Sequence, residues 1–143
     1  EPVIPGLEGT AVNAEAAALM VRDALDTLIN HRATDCRPFD LLAHAVDVAH
    51  IRALQIQPDD SNPMHAPLIA GKAALMAVRE RLERLGAWGV SATNRAALVA
   101  AVEHYETVLF ASSPDEMAKA AVMRRDALDK GMLFSRVNTR VER

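Results

Sequence analysis

The chain has 143 residues, with 16 basic and 19 acidic side chains and half of its positions hydrophobic, which excludes a disordered polyelectrolyte and suits one folded domain. The single cysteine, Cys36, excludes an internal disulfide and fits a reducing compartment, so a cytoplasmic location is expected. No run reaches the roughly 18 apolar residues of a membrane span, and the N-terminal residues lack the basic-then-apolar layout of a secretion signal, so no membrane partner is expected. Aromatic residues are scarce, whereas alanine occurs 27 times, giving high helix propensity and allowing helices to approach closely. The composition predicts an all-α, compact bundle of about five helices with short connections, in one domain over residues 1–143.

In chain order, residues 1–12 (EPVIPGLEGTAV) read as an irregular leader because prolines and glycines punctuate them. Asn13 is placed to cap a first helix reaching about Asn30, with Val21, Ala24, Leu25, Leu28 and Ile29 inward. The turn His31-Arg32-Ala33-Thr34 follows, and Thr34 is placed to cap the second helix, where Pro38 fits because first-turn amides have no intrahelical partner.

The second helix, through Ile56, organises the rest. Leu42, Ala45, Val46, Ala49, Ala53 and Ile56 form one stripe at 3.6 residues per turn, widened by Leu41, Val48 and Ile51. A helix this apolar belongs at the centre. Residues 57–63 (QPDDSNP) form a loop by composition. A third helix is predicted at about 64–85, carrying Leu68, Leu75, Met76, Val78, Leu82 and Leu85, with Arg79–Glu83 and Glu80–Arg84 pairs on a solvated side. Gly86 stops it.

Ser91 caps a fourth helix to about Ala111, with Leu98, Ala101, Val102, Tyr105 and Leu109 inward. Ser113-Pro114-Asp115-Glu116 is the strongest local signal, a serine cap with proline at the first helical position and a glutamate able to reach back. It starts a fifth helix that stops at Gly131, before a short tail over 132–143.

The sharpest chemical signal is His44-x-x-Asp47-x-x-His50. Imidazole and carboxylate suit zinc or iron, but His44 and His50 lie about 120° apart around the helix axis, so a metal needs a further ligand such as His104 or Glu103. A di-metal bundle repeats its Glu-x-x-His signature on a second helix, and no second copy occurs here. The simpler reading makes Asp40, His44, Asp47 and His50 a polar flank bonded locally. Cys36 beside Arg37 at a helix start has the setting of a lowered thiol pKa, but lacks a partnered histidine. The serines serve as caps, with no Gly-x-Ser-x-Gly, and the glycines form no phosphate-cradling loop. No catalytic residue and no cofactor are assigned, and a non-enzymatic role is expected.

Residues 119–143 carry 7 bases and 3 acids, so Arg124, Arg125, Lys130, Arg136 and Arg140 form a candidate nucleic-acid surface. Against it stand the chain's net charge of −3 and the lack of stacking aromatics. Met117, Val122, Met123, Met132, Leu133 and Phe134 offer more apolar surface than one short helix and tail need, which makes them interface candidates for a homodimer or another protein.

The chain resembles a group of small all-helical proteins of bacterial phages and mobile elements. The likeness rests on His31-Arg32-Ala33-Thr34, then Asp40-Leu41-Leu42 with Ala45-Val46; on Leu75 to Gly86 with its short aromatic-containing turn; and on Ala97 to Glu106, ahead of the capped last helix. It implies a helical layout and a bacterial origin, with no activity, cofactor or site residue. The expectation is a self-associating interaction or regulatory factor, the alternatives being a nucleic-acid accessory protein and a metal-binding bundle.

Overall fold

A computed structural model of the chain describes residues 11–59 and 61–130, which hold five helices and no strand: α1 (Ala11–Ile29), α2 (Arg37–Ile56), α3 (His65–Leu85), α4 (Ala92–Ala111) and α5 (Pro114–Asp129). The all-α bundle expected from alanine content and apolar periodicity is the fold observed. Helix α2 is its axis, packing against each of the other four helices, while α1 and α3 also pack on α4. Leu42, Ala45, Val46, Ala49 and Ala53 are all buried, as the 3.6-residue stripe requires.

The helix ends follow local chemistry. Ser91 accepts from the Asn94 amide, and Ser113 and Glu116 close a reciprocal capping box with Pro114 in the first turn. Gly86 takes the left-handed conformation (φ 71°) that ends α3. Helix α1 instead ends on His31, which adopts φ 59° without being glycine. Two expected caps are corrected. Helix α1 already includes Ala11, so Asn13 lies inside it. Helix α2 begins at Arg37 behind Cys36, whose side chain makes no cap bond; Asp35 Oδ1 accepts the Arg37 amide instead, and Thr34 lies outside. The leader up to residue 10, the Gly131 stop and the tail lie outside the described residues.

The loop between α2 and α3 carries a structural device that composition does not reveal. Asn62 is buried, and its Nδ2 donates to the carbonyls of Ala53 (2.8 Å) and Gln57 (2.9 Å), while its Oδ1 accepts the Met64 amide. One side chain thus closes α2 and opens α3. At the far end of α2, Phe39 meets Trp88 at 5.7 Å between ring centroids and carries the Arg79 guanidinium over its face at 5.6 Å.

Three residues expected inward face out: Ile56 at the end of α2, and Met76 and Leu85 on α3. For Met76 the reason lies in α3, whose Leu68, Gly71, Ala74, Leu75 and Val78 form the inner face, so that Met76 falls on the opposite side, whereas Ile56 and Leu85 are the last residues of their helices. Gly71 sets the α3–α4 spacing, since a Cβ there stands 2.5 Å from the Cβ of Ala101. Overpacking of this kind costs roughly 1–3 kcal/mol, so Gly71→Ala is expected to destabilise the fold in a urea titration, and the pair Gly71→Ala with Ala101→Gly to recover most of the loss. Equal stability of Gly71→Ala and the natural chain would contradict this helix contact.

Candidate functional site

Steps of three along α2 put His44, Asp47 and His50 on adjoining faces, with the two histidines on either side of the carboxylate. Helix α5 lies on the His44 side and α3 on the His50 side, and each sends in a cation. Arg124 Nε of α5 donates to Asp47 Oδ2 at 2.9 Å, and Lys72 Nζ of α3 stands 3.6 Å from Oδ1. The Asp47 side chain is fully buried, with Lys72 and Arg124 only 12 % and 14 % exposed, so both ion pairs are largely shielded from water.

The hydrogen bonds continue outward in a fixed sense. Lys72 Nζ lies 2.8 Å from His50 Nδ1, and His50 Nε2 lies 3.0 Å from His65 Nδ1. An ammonium only donates, so with Lys72 charged, His50 Nδ1 accepts and His50 carries its proton on Nε2. That proton is donated to His65 Nδ1, leaving the His65 proton on Nε2. On the other side Arg124 Nη1 donates to His44 Nδ1 over a long 3.4 Å. The array runs His65–His50–Lys72–Asp47–Arg124–His44 across three helices.

Among the described residues its charges do not cancel, since one carboxylate faces two cations. Burial, followed by the charge of Arg124, holds His44 down to a pKa of about 4, with Arg125 adding to the effect and Asp47 opposing it. Burial, Lys72 and His65 do the same to His50, again to about 4 against the opposing pull of Asp47. Burial lowers Lys72 below the ordinary lysine value, and Asp47 works against that. At neutral pH His44 and His50 are therefore neutral imidazoles on either side of a lysine–aspartate–arginine core. It can relay hydrogen bonds and respond to acid.

The expectation of a locally bonded polar flank is therefore corrected. Asp47 and His50 are interior residues with partners on other helices, and only Asp40 among the four is exposed. The candidate metal ligands do not converge. His104 sits on α4 with Nδ1 bonded to the Ala100 carbonyl at 2.7 Å, and the position beside Asp47 that an ion would take is filled by Lys72 and Arg124. Among the described residues no group of three His, Cys, Asp or Glu side chains is placed to hold a metal. Cys36 is exposed, but hydrogen bonding to Asp40, then burial and the Asp40 charge, raise its thiol pKa, the reverse of activation.

The basic candidates separate. Arg124 is turned inward, Arg125 and Lys130 are exposed, and Arg136 and Arg140 lie outside the described residues. The interface candidates separate as well: Met117 is buried in the core, Val122 and Met123 are half exposed, and Met132, Leu133 and Phe134 lie outside the described residues. Met123 is also tied down, its sulfur accepting from Gln55 Nε2 at 2.9 Å.

Sequence reasoning missed Lys72 and His65, the residues that join α3 to the array. The signal was present: Lys72 is the one charged residue in an uncharged stretch between His65 and Arg79, where a lysine needs a buried partner or a wet face. Compared with protein-family models, with curated proteins and with solved structures, the chain matches none.

Proposed function

We propose that this protein acts by contact, as a non-enzymatic interaction or regulatory factor that associates with itself. The observation that carries the reading is a division of labour between inside and outside. The groups suited to chemistry, Asp47, Lys72, His50 and Arg124, are spent on one another in the seam between α2, α3 and α5. The outer surface meanwhile displays Leu19, Ile69, Met76, Leu85, Phe110 and Val122 to solvent, and exposed apolar side chains that adjoin one another mark interfaces.

Light scattering over a concentration series tests this. A mass approaching twice that of the 15.5 kDa chain as concentration rises is the expected result. A strict monomer throughout, purified without a companion protein, would contradict it. Nucleic-acid binding is the weaker reading, because Arg124, the centre of the basic group, is bonded inside the protein.

A further inference from the structure

The exposed apolar residues are not spread evenly, and their arrangement on α3 differs from that on the other helices. Ala66, Ile69, Ala70, Ala73 and Met76 are all exposed, with Ile69 at 44 % and Met76 at 46 %, and Ala77 is half-buried beside them. At helical spacing they form one band three turns long in which no charged side chain intervenes. Elsewhere the exposed apolar residues have charged neighbours. Leu19 on α1 stands between exposed Glu15 and Asp23, and Val122 on α5 is surrounded by exposed Lys119, Arg125 and Asp126.

We propose that this band is the face through which two copies of the chain pair, with their α3 helices antiparallel about a two-fold axis beside Ala73. The inference rests on the self-association proposed above and names its surface. A two-fold contact must be complementary to itself, and this face is. Turned about Ala73, Ile69 of each copy meets Met76 of the other, while the alanines at 66, 70 and 73 let the backbones approach.

The charges beyond the band agree with the same register. Glu80, exposed one turn past Met76, comes to the amino-terminal end of the partner's α3, where the helix dipole favours a negative group. Arg84, exposed a further turn on, comes to the partner's loop ahead of α3, which carries exposed Asp59. Each attraction occurs twice by symmetry. A parallel pairing sets Glu80 against Glu80 and Arg84 against Arg84. One helix face is a small interface, so the dimer forms at the weak end of stable association.

The test compares Ala73→Glu with Val122→Glu by light scattering over the same concentrations, with circular dichroism to confirm helix content. Two carboxylates set against each other at the axis are expected to move the dimer midpoint up by roughly a hundredfold, since like charges in an interface cost several kcal/mol. Val122→Glu is expected to leave the midpoint unchanged. If Val122→Glu dissolves the dimer and Ala73→Glu does not, self-association stands and the α3 face is wrong. If the natural chain stays monomeric, both readings fall. Should Ala73→Glu lose its helix content, a Cys36→Ser, Ala73→Cys chain treated with a short bis-maleimide decides: cross-linked dimer supports the α3 contact, and its absence at a concentration where the chain is dimeric overturns it.

Discussion

Replacing Asp47 by alanine is expected to be the most damaging single change among the charged residues. The carboxylate is fully buried and faces Arg124 and Lys72, so its removal leaves two cations near each other in a seam that water scarcely reaches. Breaking a buried pair from one side costs on the order of 3–5 kcal/mol, because the partner charge stays desolvated. For a chain of this size that corresponds to a fall in Tm of roughly 10 °C. The loss is expected to come from the stranded cations rather than from the missing attraction. A triple variant, Asp47→Leu with Lys72→Met and Arg124→Leu, is therefore expected to regain most of the stability, as hydrophobic replacement of whole buried ion networks does. A chemical denaturation series reads both effects, and an Asp47→Ala chain within about 1 kcal/mol of the natural one would show that the seam is wetter than its geometry implies.

The second large effect is on pH. His44 and His50 titrate near 4 in the folded chain against an ordinary 6.5, held down by burial and by Arg124 and Lys72 respectively. Between those values the unfolded chain binds more protons than the folded one, so stability is fully present above about 6.5 and falls with decreasing pH until about 4. A gap of that size is worth on the order of 3 kcal/mol per fully buried histidine, and solvent screening reduces the share of His44, the more exposed of the two. The combined loss from pH 7 to pH 4 is expected to be roughly 3–5 kcal/mol. Carboxylates contribute in a different window. Glu116, lowered by its bond to the Ser113 amide, loses its contribution only as pH falls through and below the ordinary glutamate value. The decline between pH 6.5 and 5 is thus the histidine signature. His44→Leu should flatten it without moving the carboxylate part, and an unchanged slope in that variant would remove His44 from the account.

Acid thus acts on the same seam that Asp47→Ala disrupts. Protonating His44 or His50 adds a third positive charge to an array that already has an excess of one. The α5 side has further ties in Arg52, which pairs with Glu116 at 3.0 Å and donates to Ser112 at 3.1 Å. On the opposite flank, Arg22 of α1 grips Glu106 of α4 through two 2.7 Å bonds. These lie nearer the surface and are worth correspondingly less.

What the sequence made legible was whatever repeats at 3.6 residues or is decided within one turn. The inward stripes of α1, of α2 as far as Ala53 and of α4, the Ser91 and Ser113 caps and the Gly86 stop all depend on near neighbours, and the structure has them where periodicity and capping chemistry place them. The histidine–aspartate spacing on α2 was also visible, along with the reason why its three members do not gather at one point. The content of the site was not visible, because Lys72 and Arg124 lie 25 and 77 residues from Asp47 and reach it only through tertiary packing. Arg124 read as part of a basic end because Arg125 stands beside it, yet a single step around a helix separates an inward from an outward side chain. Met76 failed for the same reason in reverse, its apolar character pointing inward while its position on α3 points out.

A buried α2 carboxylate fastens the outer helices α3 and α5 to the axis of the bundle. A double-mutant cycle of Asp47→Ala and Arg124→Met, followed by urea unfolding, tests it most directly. A coupling of roughly 2 kcal/mol or more between the two positions is the predicted result, whereas effects that simply add to within about 0.5 kcal/mol would contradict it.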